Sequence, residues 1–360
     1  MRITICWPLI SGYMAACWRA LAAQSGVSLQ VLAWRPEASR DHIDFDLSLV
    51  EGLDVRLLDG VERCDARLIR GEVEAYGPDV VVVPGWFWRP YREIVDWAYR
   101  RQIRVIMTMD TSLQLTMRQL LGRWIMAGYF GRIAGVYVPG ERAFQLARVL
   151  GFRESQIRVG SYGFDYPLFA GCLEQRAASP MGWPRSFLYV GRYVVRKGID
   201  TLVEAYERYR RQVANPWALI TCGQGPLEER LQSIQGVTNR GFVQPQELPS
   251  VMSDAGAFVL PSRFEAWGVA LAEAGAAGLP LIASRSVGAT AEVLRDFYNG
   301  RRFDTGDASS LAAAMHWVHE QAPRAAELGD RSRCLAEPFR SELWAERLLT
   351  LTQELSQRGR

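Results

Sequence analysis

The sequence predicts an α/β protein with two Rossmann-like domains that face each other across a cleft. Short runs of β-branched residues alternate with longer segments of helical period, a pattern typical of parallel βαβ sheets. The chain has 360 residues, which is enough for two domains. Prolines and glycines cluster in residues 166–185, between two such alternating series. We therefore expect one sheet before this segment and one after it.

The first series predicts an N-terminal domain over residues 1–165. Residues 80–83 are four consecutive valines, as expected for a strand that is covered on both faces. The predicted strands are Arg2–Trp7, Ser28–Trp34, Val55–Leu58, Asp79–Pro84, Ile103–Thr108 and Ala134–Val138, and the predicted helices include Met14–Gln24, Tyr91–Arg101, Ser112–Phe130 and Glu141–Leu150.

The second series predicts a C-terminal domain over residues 186–335, after an interdomain linker at 166–185. Its predicted strands are Phe187–Val190, Ala218–Cys222, Val237–Gly241, Ala257–Leu260 and Pro280–Ala283, and its helices are Ile199–Arg211, Pro226–Ile234, Gln246–Ala255 and Trp267–Ala277. Residues 336–360 contain an amphipathic helix, Phe339–Ser356, and we expect it to cross back and brace the first domain.

Composition excludes several classes of protein. Forty-two basic and 39 acidic residues leave a net charge of +3, which is too small for a nucleic-acid binder that relies on bulk charge. Six cysteines without a CxxC pair and only three histidines indicate neither a zinc site nor a disulfide framework. The N-terminus resembles a signal peptide, but Pro8 and Gly12 interrupt its apolar run. We therefore expect a buried first strand, no membrane span and a cytoplasmic location.

Two glutamates follow a predicted strand of the second domain. Glu265 lies in a short loop, and Gly268 opens a helix whose free amide groups and positive end form an anion site. Glu273 lies within an otherwise apolar helix, where a carboxylate without a partner would cost several kcal/mol. Carboxylates beside an anion site are repulsive unless they bind neutral, hydroxyl-rich groups such as sugar or ribose.

The chain contains 41 arginines and one lysine, Lys197. It lies with Arg192 in a glycine-containing loop that starts at Gly191, directly after a predicted strand. Open α/β sheets bind ligands at this end of their strands, where two cations can neutralise a diphosphate. Either codon bias replaced the other lysines, or position 197 requires an ammonium group that the planar guanidinium of arginine cannot replace.

These motifs together resemble the retaining glycosyltransferases of family four, also called group one, which have the GT-B fold. The resemblance rests on GR(x)4KG at 191–198, GxGP at 223–226, GFV at 241–243, E(x)7E at 265–273 and GLP at 278–280. It covers residues 186–320 in one order. The resemblance implies that the second domain binds a nucleotide-sugar such as a UDP- or GDP-sugar, that the first faces the acceptor, and that catalysis occurs in the cleft.

The resemblance also assigns roles to residues. Arg192 and Lys197 hold the donor diphosphate, Glu265 contacts hydroxyls of the transferred sugar, and Glu273 binds the ribose. Backbone amides around Trp267, Gly268 and Val269 contact phosphate or sugar, and the backbone near Phe242 and Val243 borders the base. No metal ion is expected, because these cations and a helix N-terminus can stabilise the leaving diphosphate. Asp44-Phe45-Asp46 has a metal-binding spacing, but we interpret it as a solvated loop.

The first half matches the family less well. Gly12 lies where the family has a glycine-rich turn near the donor. Many members carry a histidine near the donor sugar, and here that segment contains Asp110. This aspartate either takes the polar role of the histidine or caps a helix that begins near Ser112. Trp86 and Trp88 follow a strand and either stack on a sugar acceptor or pack between the domains.

Residues 111–140 contain arginines and apolar residues but no acidic residue. This segment either contacts an anionic membrane as a peripheral helix or packs on the sheet as an ordinary helix of the domain.

The sequence therefore predicts a retaining, metal-independent hexosyltransferase. It would transfer sugar from a nucleoside diphosphate to a hydroxyl of a saccharide, lipid-linked or small-molecule acceptor, in cell-envelope or polysaccharide synthesis. The alternatives are a nucleotide-sugar epimerase on the same fold and a non-catalytic nucleotide-sugar binding protein.

Overall fold

The computed structural model describes residues 1–35 and 46–358, which form two compact units. The first unit extends to Phe164 and includes the chain again from Arg340 onward, and the second spans Asp165–Phe339. Asp44 and Phe45, in the loop that we interpret as solvated, lie outside the described residues.

The first unit contains a seven-stranded parallel sheet of order β3-β2-β1-β4-β5-β6-β7. Its strands are β1 (Arg2–Trp7), β2 (Ser28–Trp34), β3 (Val55–Leu58), β4 (Val80–Pro84), β5 (Arg104–Thr108), β6 (Gly135–Val138) and β7 (Ile157–Val159). Its helices are α1 (Gly12–Ala22), α2 (Ala66–Tyr76), α3 (Arg89–Arg100), α4 (Met117–Ile125), α5 (Ala127–Phe130), α6 (Glu141–Val149) and the last helix of the chain, Ser341–Arg358. The valines of β4 are fully buried, as their uniform pattern predicts.

The last helix of the chain completes the core of the first unit. It covers one face of the sheet together with α1, through Trp344, Leu348 and Leu351. The indole of Trp344 donates to the carbonyl of Ser161 (2.8 Å), and its own carbonyl accepts from the Tyr137 hydroxyl (2.9 Å). Its apolar stripe therefore packs on the first sheet, although the helix follows the second unit in sequence.

The second unit contains a six-stranded parallel sheet of order β10-β9-β8-β11-β12-β13. Its strands are β8 (Ser186–Val190), β9 (Ala218–Cys222), β10 (Val237–Asn239), β11 (Ala257–Leu260), β12 (Leu281–Ser284) and β13 (Gly300–Phe303). Its helices are α7 (Tyr166–Ala170), α8 (Cys172–Ala177), α9 (Ile199–Gln212), α10 (Glu228–Gln232), α11 (Leu248–Ser253), α12 (Val269–Ala276), α13 (Ala308–Glu320) and α14 (Ala325–Ala336), so that the last helix of the chain is α15.

Two strands were not predicted from the sequence, β7 and β13. Both lie at the edge of their sheets, and both contain arginine. An edge strand has one neighbour, so it lacks the continuous apolar run by which buried strands are recognised.

The prediction of an interdomain linker at 166–185 is wrong. This segment forms α7 and α8, and both belong to the second unit. Arg176 on α8 is fully buried, and its guanidinium donates to the carbonyls of Met252 (2.7 Å), Ala277 (3.0 Å) and Gly278 (3.0 Å). These carbonyls lie at the C-terminal ends of α11 and α12, where a cation is favourable. Prolines and glycines here mark short helical turns rather than a free linker.

Replacing Arg176 with leucine is expected to destabilise the second unit by about 3 kcal/mol or more, because buried carbonyls lose their donors. Burial lowers the pKa of this guanidinium to about 10, so it remains charged at neutral pH. Urea unfolding measures the loss. The matched control is Arg211→Leu, on the exposed end of α9, which is expected to change stability by less than about 0.5 kcal/mol. Equal stability of the two variants would show that Arg176 is not a structural cap.

The predicted helix over Ser112–Phe130 is also wrong in extent. The chain forms two shorter helices instead: α4 begins only at Met117, where the Thr116 hydroxyl accepts from the amide of Gln119 (3.3 Å), and α5 follows. Asp110 therefore does not cap a helix that begins near Ser112. No residue of α4 is buried, whereas Tyr129 and Phe130 of α5 are, so within this segment α5 rather than α4 packs into the core.

Candidate functional site

The candidate site lies where the strand order of the second sheet reverses. Strands β8 and β11 are neighbours in the sheet, although two strands separate them in the chain. In open parallel sheets, ligands bind at the carboxyl ends of the strands at such a point. The loop after β8 contains Arg192 and Lys197, and the loop after β11 contains Glu265.

The structure brings Lys197 and Glu265 into contact. The ammonium group of Lys197 donates to a carboxylate oxygen of Glu265, and the Ser262 hydroxyl donates to the same oxygen (3.2 Å). The side chains of Lys197 and Glu265 are only 16% and 17% exposed to solvent. A charge pair at this level of burial is little screened by solvent, and the ammonium group has two further donors that Glu265 does not use.

A close approach between the two loops creates this contact. Gly198 has a left-handed φ of 73°, and a Cβ atom at this position would overlap the carbonyl oxygen of Pro261. The amide of Arg263 also donates to the carbonyl of Arg196 (2.8 Å). Only glycine permits this approach, which fixes Lys197 next to the loop of Glu265.

Gly268, directly before α12, is a second glycine with a constrained backbone. Its φ is 102°, and a Cβ atom there would lie 2.9 Å from Val287 and 3.2 Å from the side chain of Glu265. The glycine therefore lets the loop turn into the helix without displacing the Glu265 carboxylate. The turn also places the N-terminus of α12, the positive end of its dipole, next to the loop of Glu265.

Glu273 lies on α12 among buried residues and is itself partly buried. Burial raises the pKa of its carboxyl group from 4.5 to about 7. Within the described part of the chain, this carboxylate forms no hydrogen bond and no ion pair. A partly buried carboxylate without a protein partner is costly, and such groups are concentrated at functional sites.

The remaining donor residues predicted from the sequence occupy the same edge of the second sheet. Arg192 follows Gly191 at the end of β8, and its carbonyl accepts from the buried Tyr189 hydroxyl (2.9 Å). Phe242 and Val243 are half-buried in the loop after β10, and the carbonyl of Gly241 in this loop accepts from the loop after β9.

The side chain of Trp267 is buried and packs within the second unit. It is 3% exposed, and its ring packs on Phe339 with 5.1 Å between centroids. Its carbonyl accepts from the amide of Ala289 (2.8 Å). Only the backbone near Trp267 and Val269 is therefore available to a ligand, which is the part that the resemblance implies.

The first unit has a cavity of about 160 Å³ at its own point of strand reversal, between β1 and β4. Asp110 lines this cavity, and its carboxylate accepts from the Tyr162 hydroxyl (2.9 Å). The other lining residues include aromatic and hydroxyl side chains: Trp7, Trp86, Phe87, Thr108, Thr111 and Ser161. A carboxylate among aromatic rings and hydroxyls is suited to a polyol.

The two tryptophans after β4 differ in their surroundings. Trp86 lines the cavity and packs edge-on against Phe130. Trp88 instead packs against Trp34, and its indole donates to the carbonyl of Arg63 (2.9 Å). Trp88 is therefore tied to the interior of the first unit. Gly12 lies at the first turn of α1, at the end of β1.

Sequence reasoning missed Ser262 and Tyr162 at these sites. Ser262 lies three residues before Glu265 on the same loop, so its spacing was visible, but a single serine has no distinctive pattern. Tyr162 meets Asp110 from 52 residues away, and only the folded sheet brings them together.

Among the described residues, no group of three or more His, Cys, Asp or Glu side chains could hold a metal ion.

Comparison with known protein families supports the assignment of the second unit. Residues 174–334 match the family model of glycosyl transferases group 1. This segment is therefore similar to the group 1 glycosyltransferases. The match includes Lys197, Glu265 and Glu273, so the resemblance inferred from the motifs is confirmed for this part of the chain.

Two curated relatives match only part of the chain. A glycogen synthase of Mycobacterium tuberculosis is 29% identical over 187 residues, which are 50% of this chain and 44% of the relative. A GDP-mannose-dependent alpha-(1-6)-phosphatidylinositol monomannoside mannosyltransferase of Mycolicibacterium smegmatis is 33% identical over 159 residues, 40% of this chain and 41% of the relative. The chain thus aligns with less than half the length of each.

Solved structures match nearly the whole chain. A sucrose-phosphate synthase from Thermosynechococcus elongatus superimposes with a TM-score of 0.74 at 20% identity, covering 99% of this chain and 100% of that structure. Anabaena HepE, solved in complex with UDP and glucose, gives a TM-score of 0.71 at 15% identity, covering 99% of both chains. These similarities confirm the predicted GT-B fold of two Rossmann-like units.

No described helix combines the length and the hydropathy that a membrane span requires.

Proposed function

We propose that this protein is a retaining glycosyltransferase. It transfers a hexose-type sugar from a nucleoside diphosphate, UDP or GDP, to a hydroxyl group of a saccharide, lipid-linked or small-molecule acceptor. The observation that carries this proposal is Glu273, a partly buried carboxylate that has no partner among the residues the structure describes, on the helix that follows the Lys197–Glu265 pair. The group 1 family match and the mannosyltransferase relative support a role in cell-envelope or polysaccharide synthesis.

Each donor group of the second unit has a distinct role in this proposal. Lys197 and Arg192 bind the diphosphate, to which the free donors of the ammonium group are suited. Glu265 accepts hydrogen bonds from hydroxyls of the transferred sugar, and Glu273 accepts them from the ribose. Hydroxyl ligands would supply the hydrogen bonds that the Glu273 carboxylate lacks within the described ranges 1–35 and 46–358.

The reaction exchanges one C–O bond for another on the same face of the sugar. The bond between the anomeric carbon and the diphosphate breaks, and the electron pair stays with the diphosphate. The acceptor oxygen forms the new bond to that carbon, and its proton passes to a leaving phosphate oxygen. Lys197, Arg192 and the amides near Gly268 stabilise the negative charge that develops on the diphosphate, so that no metal ion is required.

The cavity of the first unit is proposed to bind a sugar ring of the acceptor. Its volume of about 160 Å³ suits a single small ring, and Asp110 offers a carboxylate that Tyr162 already holds in place. Trp86 supplies an apolar surface for such a ring.

All six cysteines are free thiols, which supports a cytoplasmic location.

A thermal-shift screen of nucleoside diphosphates and nucleotide-sugars tests the donor site. A ligand at 100 times its dissociation constant is expected to stabilise the protein by about 2.7 kcal/mol. The stabilising nucleotide-sugar is then incubated with a panel of acceptors in the presence and absence of EDTA, and the anomeric configuration of the product is determined by NMR. Conversion of the donor without an acceptor would indicate an epimerase, and binding without any turnover a non-catalytic protein. No stabilisation by any nucleotide would contradict the proposal.

A further inference from the structure

Helix α4 presents an apolar stripe to solvent rather than to the body of the protein. Its apolar residues follow the spacing i, i+3, i+4, i+7, i+8, which normally marks the buried face of a helix. Here all five are exposed, Trp124 and Ile125 to about three quarters. The stripe consists of Met117, Leu120, Leu121, Trp124 and Ile125, and Leu115, two residues before the helix, is also exposed.

The opposite face of α4 borders a cavity of about 450 Å³ and contains no buried residue. Gln119, Gly122 and Met126 line this cavity together with Arg118 and Ile125, and Met126 packs against the edge of the core. Across this cavity lie Leu146 and Leu150, on and directly after α6. The first unit therefore gains little core from α4, and burial within this unit does not explain its apolar residues.

The charges around the stripe are all of one sign. At 3.6 residues per turn, Arg118 and Arg123 lie on opposite flanks of the stripe. Arg118 lies over the ring of Phe87 and Arg123 over that of Trp124, and neither forms an ion pair within the described residues. No acidic residue occurs from 111 to 140, whereas the similarly exposed Arg89 and Arg101 do pair with glutamates.

We propose that α4 is a docking surface for an anionic lipid membrane. Its apolar stripe enters the boundary between head groups and acyl chains, and Arg118 and Arg123 contact the lipid phosphates. An apolar face flanked by unpaired arginines complements this surface, because such a membrane offers negative charge directly above an apolar layer. A protein partner would need both features on one surface. The proposal is independent of the transferase activity, although a docked enzyme could reach a lipid-linked acceptor.

Flotation with phospholipid vesicles tests the charge requirement. The intact protein is expected to float with vesicles of equal parts phosphatidylglycerol and phosphatidylcholine, and much less with phosphatidylcholine alone. The double variant Arg118→Gln/Arg123→Gln is expected to bind the anionic vesicles about thirtyfold more weakly, at about fivefold per arginine. The matched control Arg70→Gln/Arg211→Gln removes the same charge from exposed sites elsewhere and is expected to bind as the wild type does.

A second pair of variants tests the stripe itself. Leu121→Ser/Trp124→Ser is expected to abolish flotation even at low salt, whereas Val61→Ser/Met181→Ser, at other exposed apolar positions, is expected to retain it. Since every altered side chain is exposed, unchanged melting temperatures verify folding. Stabilisation by nucleoside diphosphates is expected to persist in all variants, which separates this proposal from the proposed function. Absence of anionic vesicle binding, equal binding by the stripe and control variants, or self-association through α4 without vesicle binding would overturn it.

Discussion

Replacing Lys197 with alanine is expected to lower turnover of the nucleotide-sugar by about 10²–10³-fold, the usual loss for one preorganised stabilising contact. The ammonium group is held by the Glu265 carboxylate in a largely buried pair, so its position is fixed before a ligand arrives. Without it, the diphosphate loses a cation just as its negative charge increases, and Glu265 loses its counterion. Steady-state kinetics with the donor and acceptor identified by screening measure the effect.

The neighbouring cation provides the control for this prediction. Arg196→Ala removes the same charge one residue earlier, from an exposed side chain, and is expected to retain most activity. Lys197→Arg keeps the charge but replaces a compact ammonium by a planar fork, and we expect it to be clearly impaired. Full activity of Lys197→Ala would contradict the assigned role. If Lys197→Arg were fully active while Lys197→Ala was impaired, codon bias would explain why the chain has a single lysine.

Replacing Glu273 with alanine is also expected to reduce turnover by about 10²–10³-fold, because the donor would lose its carboxylate partner in the ribose region. Glu273→Gln is expected to be impaired too, since a neutral amide accepts hydrogen bonds less strongly than a carboxylate. The control is Glu229→Ala, which removes an exposed glutamate of α10 and is expected to leave kinetics unchanged. Equal activity of the Glu273 and Glu229 variants would refute the role of Glu273.

Glu273→Gln is also expected to increase the stability of the folded protein at neutral and alkaline pH. The carboxyl group has a pKa of about 7 in the folded protein against 4.5 in its ordinary state, so between these values the folded protein binds the additional proton. Stability therefore falls as pH rises from 4.5 through 7, by up to about 3 kcal/mol. Glu273→Gln lacks this loss, so urea unfolding should show it to be more stable than wild type at pH 8 and nearly equal at pH 4.5. A gain in stability with a loss of activity would identify a group retained for function.

Much of the second unit could be predicted from local sequence. Strands such as Ala218–Cys222 and Ala257–Leu260 were predicted with their observed bounds, because a strand buried on both faces has an unbroken apolar run. Gly268 indicated the start of a helix whose N-terminus can bind an anion. Lys197, Glu265 and Glu273 could be singled out because a single lysine, a carboxylate beside an anion site and a carboxylate within an apolar helix need a chemical explanation.

Other features depended on partners distant in the chain. Arg176 falls in a segment rich in proline and glycine, and nothing local indicates that its guanidinium meets carbonyls 76 to 102 residues away. The pattern of α4 is that of an ordinary buried helix, and only the structure shows that its apolar residues are exposed in the described part of the chain.

The sequence by itself determined the alternation of strands and helices, the two Rossmann-like units and the residue types of the donor site, because these follow from short-range periodicity and from the cost of burying charge. The tertiary structure alone decided that Lys197 meets Glu265, that Asp110 meets Tyr162, and that Glu273 has no hydrogen-bond or ion-pair partner among the described residues. Such contacts depend on how strands far apart in the chain become neighbours in a sheet. The local sequence pattern carries no information about which strands become neighbours.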